Sequence, residues 1–399
     1  MQPTRSTLAD VLSYARERDY TGWDLYDGES SALLRRLPVD NRWLNLAFQQ
    51  FVRRAPVNVR PLLLVEQRRN FMGVSMFVLA NTAMFELTGE RQYLDDARAL
   101  TAWLVEHRSD GYSGFCGGHK HPLQGLEART GPNVPGIVGT SYAVRALLAA
   151  DSHLERDYAD IARTAAAFVV DDLQYHGVPD GPGARILYTP NDSGEAYTLN
   201  ANALGARLLL ELSQRFDDDG YRERATRILD YVAAQQTDIG GWQYMDPPSA
   251  SHLSMDNFHN GFVLETFLRY ADLVDDRFER TIERAATFHR EHLFNADGSP
   301  NYDERQPYPR DVHAVAEGAV VFTDLGDLSF ARRILDWGTT NLSDGDGAFY
   351  LEKRRCYTKR ITCMRWCQAT MAHALSHYLL AADERATGPS VAAGAPDAS

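Results

Sequence analysis

The segment MDNFHNGFVLETFLRYADLVDDRFERTIERAATFHREH, Met255 to His292, reads as two helices joined by almost nothing. Apolar residues recur at three- and four-residue spacing through NGFVLETFL, and again among charges through RFERTIERAATFHREH. Residues 257–274 and 276–292 are therefore expected to form a hairpin with one apolar and one half-exposed member. The first helix opens with Asp256, Asn257, His259 and Asn260. An N-cap needs only one side-chain oxygen, so these polar groups exceed what capping requires.

The same unit recurs on both sides. The spacing predicts further helices over 41–54, 70–88, 91–107, 138–150, 156–173, 197–215, 218–236, 311–325, 328–342 and 363–382. With the quoted pair these make six hairpins. After 70–88, 138–150, 197–215, 257–274 and 311–325 the next helix begins almost at once, whereas the other gaps are long and rich in Gly, Pro and aromatics. The helices entered from long loops (FMGVSMFVLANTAMF, TSYAVRALLAA, ANALGARLLLEL, AVAEGAVVF, ATMAHALSHYLL) are the apolar ones, and their partners carry the charge. A hairpin period of about 50 to 70 residues marks a repeat architecture. Six pairs can close on themselves, so the expected fold is all-α, an (α/α)6 toroid with inner and outer helix rings. Residues 41–384 form the ring, residues 1–40 an N-terminal extension packed on it, and residues 385–399 a tail of disordered composition.

The 399 residues are 44% hydrophobic and 11% aromatic, enough to bury a large core. A net charge of −13 argues against a general nucleic-acid surface. The first twenty residues lack the apolar stretch of a secretory signal, and no later run approaches the roughly 18 apolar residues of a membrane span, so a cytoplasmic protein with no membrane span is expected. Cys116, Cys356, Cys363 and Cys367 show no paired CxxC spacing and read as free thiols. A zinc site from Cys116, His119, Cys363 and Cys367 is the weaker alternative, and the expectation is no metal and no cofactor.

In such a ring the long loops gather where the inner helices begin, and those entrances line one cleft. Aromatic rings stack on the C–H faces of sugars, while amides and carboxylates bind hydroxyls. The expected substrate-binding set is Trp242, Tyr244, Asn260, Asn200, Asn202, Tyr142, Arg365, Trp366 and His119. Glycoside hydrolysis needs two carboxyl groups about 5 to 9.5 Å apart, and Asp256 with Glu195 would supply them. Proton exchange beside a carboxylate needs a base, for which His259 or His313 would serve, and a cation or neutral acid to hold the enolate. All three lysines, Lys120, Lys353 and Lys359, lie in the long loops, and EKRRCYTKR (Glu352–Arg360) carries five positive residues against one negative. Arg354 and Arg355 would thus draw an anionic substrate, unless they pair with acidic neighbours.

GWDLYDGESS (22–31), RRNFMGVSMF (68–77), VPGIVGTSYAVRALL (134–148) and GGWQY (240–244) followed by MDNFHNGFVLETF resemble VpsJ-like polysaccharide-biosynthesis proteins and the haloarchaeal AglQ-type proteins of surface-glycan assembly. The resemblance covers most of the chain. It implies the (α/α)6 fold and a role in making or modifying glycans that contain hexuronic acids. An oligosaccharide, or a lipid- or nucleotide-linked sugar, would be the substrate. DNFHNGF is its most specific part and carries over Asp256, His259 and Asn260. Two alternatives stand beside it. One is a non-catalytic carbohydrate-binding scaffold. The other is a terpenoid cyclase, because QQTDIGGW (235–242) resembles the QW repeat, although it occurs once and without a DxDD motif.

Overall fold

The computed structural model describes residues 2–36, 41–124, 129–179 and 181–387. Its helices are α1 (Gln2–Arg16), α2 (Arg42–Arg54), α3 (Phe71–Thr88), α4 (Arg91–Glu106), α5 (Ile137–Asp151), α6 (Tyr158–Arg163), α7 (Ala165–Ala167), α8 (Leu199–Phe216), α9 (Asp219–Ala234), α10 (Asn257–Leu273), α11 (Glu279–His292), α12 (Val312–Asp324), α13 (Leu328–Leu342) and α14 (Thr370–Thr387). A π-helical stretch, Met364–Ala369, leads into α14. Short antiparallel strand pairs tie the long loops together; one of them joins Tyr197–Thr198 to Met245–Asp246.

Helices α3, α5, α8, α10, α12 and α14 each pack on the next, and α14 packs back on α3. Among the described residues these six close an inner ring, with α4, α6, α9, α11 and α13 outside it, each against the helix it follows. The chain is an (α/α)6 toroid. Helix α3 is long and apolar enough to cross a membrane by length and composition, but it is mostly buried among its neighbours in the ring. A helix apolar on every side must be covered on every side, and the ring provides that cover.

Helix partnering differs from expectation at the ends of the chain. The sixth outer place belongs to α1, which packs on α14. Leu8, Val11, Leu12 and Ala15 form its fully buried stripe, at the three- and four-residue spacing of a helix face. Sequence proximity suggests neighbours as partners, but the last inner helix has no successor, so the first helix covers it. Helix α2, expected as a ring member, instead packs chiefly on the Gly28–Ser30 turn and the strand Leu123–Gln124. The tail expected from Arg385 begins inside α14, which runs to Thr387; residues 388–399 lie outside the described residues.

Below the helix entrances the ring's axis is charged. Arg145 and Arg207 reach Glu265 at 3.1 and 3.3 Å, and Glu211 takes Arg207 at 2.6 Å and Arg269 at 2.9 Å. Burial and the Glu265 charge push the Glu317 carboxyl well above the usual range. Gly261 makes room for that side chain, because a Cβ there would overlap Glu317 Cγ. At Glu211 burial works to raise the pKa, yet Arg207 and Arg269 outweigh it and hold the carboxyl at about 2. A folded pKa below the unfolded value of 4.5 gives stability that is complete above pH 4.5 and lost as pH falls toward 2. The difference in urea midpoint between wild type and Glu211→Gln should therefore shrink across that window.

Candidate active site

The inner-helix entrances open on one cavity of ≈ 450 Å³. Each inner helix contributes: Phe71, Val138, Asn200, His259 and His313 from the first five, and Trp366 from the stretch before α14. Tyr26, His119, Tyr188 and Tyr244 complete the wall from the loops. No Asp or Glu lines this cavity among the described residues.

The crowded entrance of α10 separates into three tasks. Asp256 caps the helix, its Oδ1 accepting from the His259 N–H at 3.3 Å. Asn257 donates to the carbonyls of Leu293 and Asn301, tying down the next loop. Asn260 accepts from the Trp242 N–H at 2.7 Å and donates to the Trp242 and Asp256 carbonyls, pinning the preceding loop. The same clamp recurs four residues after the cap on other inner helices. Asn202 holds Ile186 N–H and C=O and donates to the Thr198 carbonyl, and Thr140 accepts from Gly117 N–H while donating to the Gly136 carbonyl. Gln368 grips Phe349 in the same manner. These loops run into the interior, where unpaired backbone groups are costly, and the side chains of Asn260, Asn202, Thr140 and Gln368 pair them.

His259 is the entrance residue left to face the cavity. Its Nδ1 lies 2.8 Å from Asp256 Oδ2, and Tyr244 and Phe258 flank its ring at 4.5 and 4.1 Å between centroids. A carboxylate accepts, so Nδ1 is the nitrogen that donates to Asp256, and in the neutral ring this tautomer leaves the lone pair on Nε2. His313 stacks on Phe258 (4.7 Å, 12°) and meets Trp366 edge-on. Neither of its ring nitrogens has a protein hydrogen-bond partner. Burial, with Arg365 and His259 close by, drives its pKa well below the ordinary value, so it is neutral. Trp366 is fixed through its Nε1–H to Asp311 Oδ1 at 2.9 Å, and Asp311 caps α12 at the His313 N–H.

Arg365, next to Trp366 in the chain, is held by Asp24, which lies 341 positions away. Nε donates to Asp24 Oδ2 at 2.7 Å and Nη2 donates to Oδ1. Asn70 Nδ2 adds a bond to Oδ2 at 2.8 Å and the Leu25 N–H one to Oδ1 at 2.6 Å. Burial works to raise the Asp24 pKa, but Arg365 outweighs it and keeps the carboxylate ionised. Asp24, His119 and His121 bring ligand-type atoms within 4.8 Å of one another, the one such group among the described residues. A carboxylate offers about four acceptor sites, and Arg365, Asn70 and Leu25 fill them. A cation here would displace a donor and sit against a guanidinium, so the trio does not fit a metal. The cysteines do not assemble with His119 either: Cys116 is buried against the Ser109 carbonyl, and Cys367 Sγ accepts from the Cys363 backbone N–H, both thiols being free.

Of the expected residues, the structure gathers His259, His313, Asn200, Tyr244, Arg365, Trp366 and His119 around the cavity, with Asp256 behind His259. Others lie elsewhere. Glu195 is exposed and does not line the cavity, so the expected Asp256–Glu195 carboxyl pair is not assembled. Trp242 is a core residue, 2% exposed, stacked on Phe267 with its Nε1–H on the Val232 carbonyl. Asn260 and Asn202 are loop clamps. Tyr142 is buried in the charged axis beside Arg145. Arg354 is ion-paired with Glu352 at 2.7 Å, and neither it nor the exposed Arg355 reaches the cavity. Glu127, a loop carboxylate, is outside the described residues. Asp24 and Tyr26 went unrecognised in sequence because GWDLYDGESS sits in the supposed extension; its density of aromatic and acidic residues was the available signal.

No family model and no curated protein matches the chain. Among solved structures it is similar to the GH76 α-mannanase of Bacteroides thetaiotaomicron (TM-score 0.59, 14% identity, covering 79% of this chain and 87% of that one). It is also similar to cellobiose 2-epimerase from Bacillus thermoamylovorans (0.60, 14%, 78% and 88%). An unsaturated glucuronyl hydrolase specific for heparin aligns over 96% of this chain and 97% of its own, at TM-score 0.60 and 13% identity. At these identities the likeness establishes the fold, and the chemistry must come from the cavity itself.

Proposed function

We propose that this protein is a carbohydrate epimerase or isomerase that exchanges the proton on the carbon next to a sugar carbonyl. The observation that carries this is a cavity whose described walls bear His259 with its Asp256 partner, neutral His313 and Arg365, but no carboxylate pair for glycosidic cleavage. His259 Nε2 removes the α proton, and the C–H electron pair moves onto the carbonyl oxygen as an enolate. Arg365 and neighbouring N–H donors hold that oxygen. The proton taken by His259 passes through the substrate's hydroxyls to His313, and the His313 imidazolium returns it to the opposite face of the same carbon to give the epimer; return from His259 to the adjacent carbon gives the isomer, and either route leaves both rings as they began. The similarity to sugar epimerases, hydrolases and isomerases agrees with a saccharide substrate. A hexuronic acid in a glycan under assembly fits this chemistry, with C5 as the exchanging carbon. Its carboxylate would have to be met by Arg365, because Arg354 is neutralised by Glu352 away from the cavity.

Incubation with reducing sugars and uronate glycans in deuterated water tests the proposal. Solvent label on the α carbon without cleavage is expected; cleavage without label would overturn it. Asp256→Asn sharpens the test. An Asn oxygen still caps α10, but the amide NH2 forces His259 Nδ1 to accept and takes the lone pair from Nε2. Melting should stay near native while label exchange falls at least about a hundredfold.

A further inference from the structure

His119 and His259 border the same cavity but are held by opposite kinds of partner. Asp256 accepts from His259 Nδ1, whereas His119 Nδ1 lies 3.2 Å from Asn70 Nδ2, which can only donate. The Asn70 amide cannot be reversed. Its Oδ1 takes the Gly73 N–H at 3.2 Å as the cap of α3, and a backbone N–H can only donate. Its Nδ2 gives one hydrogen to Asp24 Oδ2 at 2.8 Å, and that ionised carboxylate can only accept. The second amide hydrogen is left for His119, so Nδ1 is the acceptor and Nε2 carries the proton.

We infer that Asn70 is a positioning residue that locks His119 as a neutral Nε2–H donor toward a substrate oxygen, the tautomeric complement of His259. This rests on the proton-exchange reading of the cavity. A donor aimed where negative charge develops lowers the barrier most when it is set before reaction and is itself uncharged enough not to be quenched by a counter-ion. Burial, Arg365 and His121 together press the His119 pKa down to about 3, so the ring stays neutral where the enzyme would work. Asp24 serves both ends, orienting Arg365 with its bidentate face and Asn70 with the remaining lone pair of Oδ2. One carboxylate from the N-terminal segment therefore sets two donors on the cavity wall.

Long-range proton–nitrogen spectra of the full-length protein labelled with 15N-histidine test this directly, with His119→Gln and His259→Gln assigning the signals. His119 should show a protonated Nε2 and a pyridine-like Nδ1, and His259 the reverse. A wild-type His119 protonated on Nδ1 would overturn the inference. Asn70→Ser retains a capping oxygen but has one short hydroxyl hydrogen, which cannot serve both Asp24 and His119 as the two amide hydrogens do, so His119 should become a tautomer mixture and kcat should drop about tenfold or more, with KM changed less. Unchanged tautomer and unchanged kcat in that variant would also overturn it. The spectra need no substrate. Failure to find any sugar that exchanges a proton would count against the proposed reaction and leave the tautomer result standing, whereas exchange in a protein whose His119 carries its proton on Nδ1 would do the opposite.

Discussion

Turnover should fall about 10²- to 10⁴-fold when His259 is replaced by Gln, the range that a positioned general base contributes. The ring is the one at the α10 entrance whose Nε2 is left with a free lone pair, and Asp256 fixes its tautomer and its tilt. Gln preserves polarity and approximate reach but cannot carry a proton. Asp256 would still cap the helix through Oδ1, so melting should move little. Calorimetric titration with the saccharide that shows label exchange in wild type should find binding retained. That combination, lost exchange with kept affinity, separates an enzyme from a carbohydrate-binding scaffold. A scaffold would show only a graded loss of affinity, and wild-type exchange rates in His259→Gln would remove His259 from the chemistry.

Glu265→Ala should cost about 3–5 kcal/mol of stability, the usual result of removing one partner from a buried ion pair. Glu265 is 1% exposed and is shared by Arg145 and Arg207 at the axis of the ring. Without it Arg145 loses the carboxylate it meets at 3.1 Å, whereas Arg207 keeps Glu211 at 2.6 Å. Urea unfolding followed by circular dichroism measures the loss. The double variant Arg145→Met/Glu265→Leu should recover much of it, since burying a pair is expensive in itself and apolar groups of similar volume avoid that expense. A single variant as stable as wild type would show that the axis is hydrated enough to screen these charges.

The two substitutions probe the first turn and the middle of the same helix, α10, and the difference follows from where the helix begins. The first turn of an inner helix meets the long loops and the cavity; the later turns meet the neighbouring inner helices and the outer ring. Glu317, four residues after His313 on α12, therefore sits among charges rather than at the substrate. The glycine of DNFHNGF had no assigned task until α12 was seen to press Glu317 against it.

The ring was legible in the sequence by itself. Helical periodicity and the alternation of apolar and charged members are local properties, and twelve amphipathic or apolar helices with loops of alternating length have few ways to hide their apolar faces. The convergence of entrances followed from the same local facts. Which entrance residues face the cavity did not. Asp, Asn, Thr and Gln are the residue types that cap helices, clamp buried loops and bind sugars, and one-dimensional spacing does not distinguish these uses. Only the packed loops show that Asn260, Asn202 and Gln368 spend their hydrogen bonds on backbone while His259 keeps a nitrogen free. Contacts between the chain's ends were equally invisible: α1 completing the outer ring against α14, and Asp24 meeting Arg365. Closing a ring brings the first and last elements together, and no local signal records a neighbour that lies more than three hundred residues away.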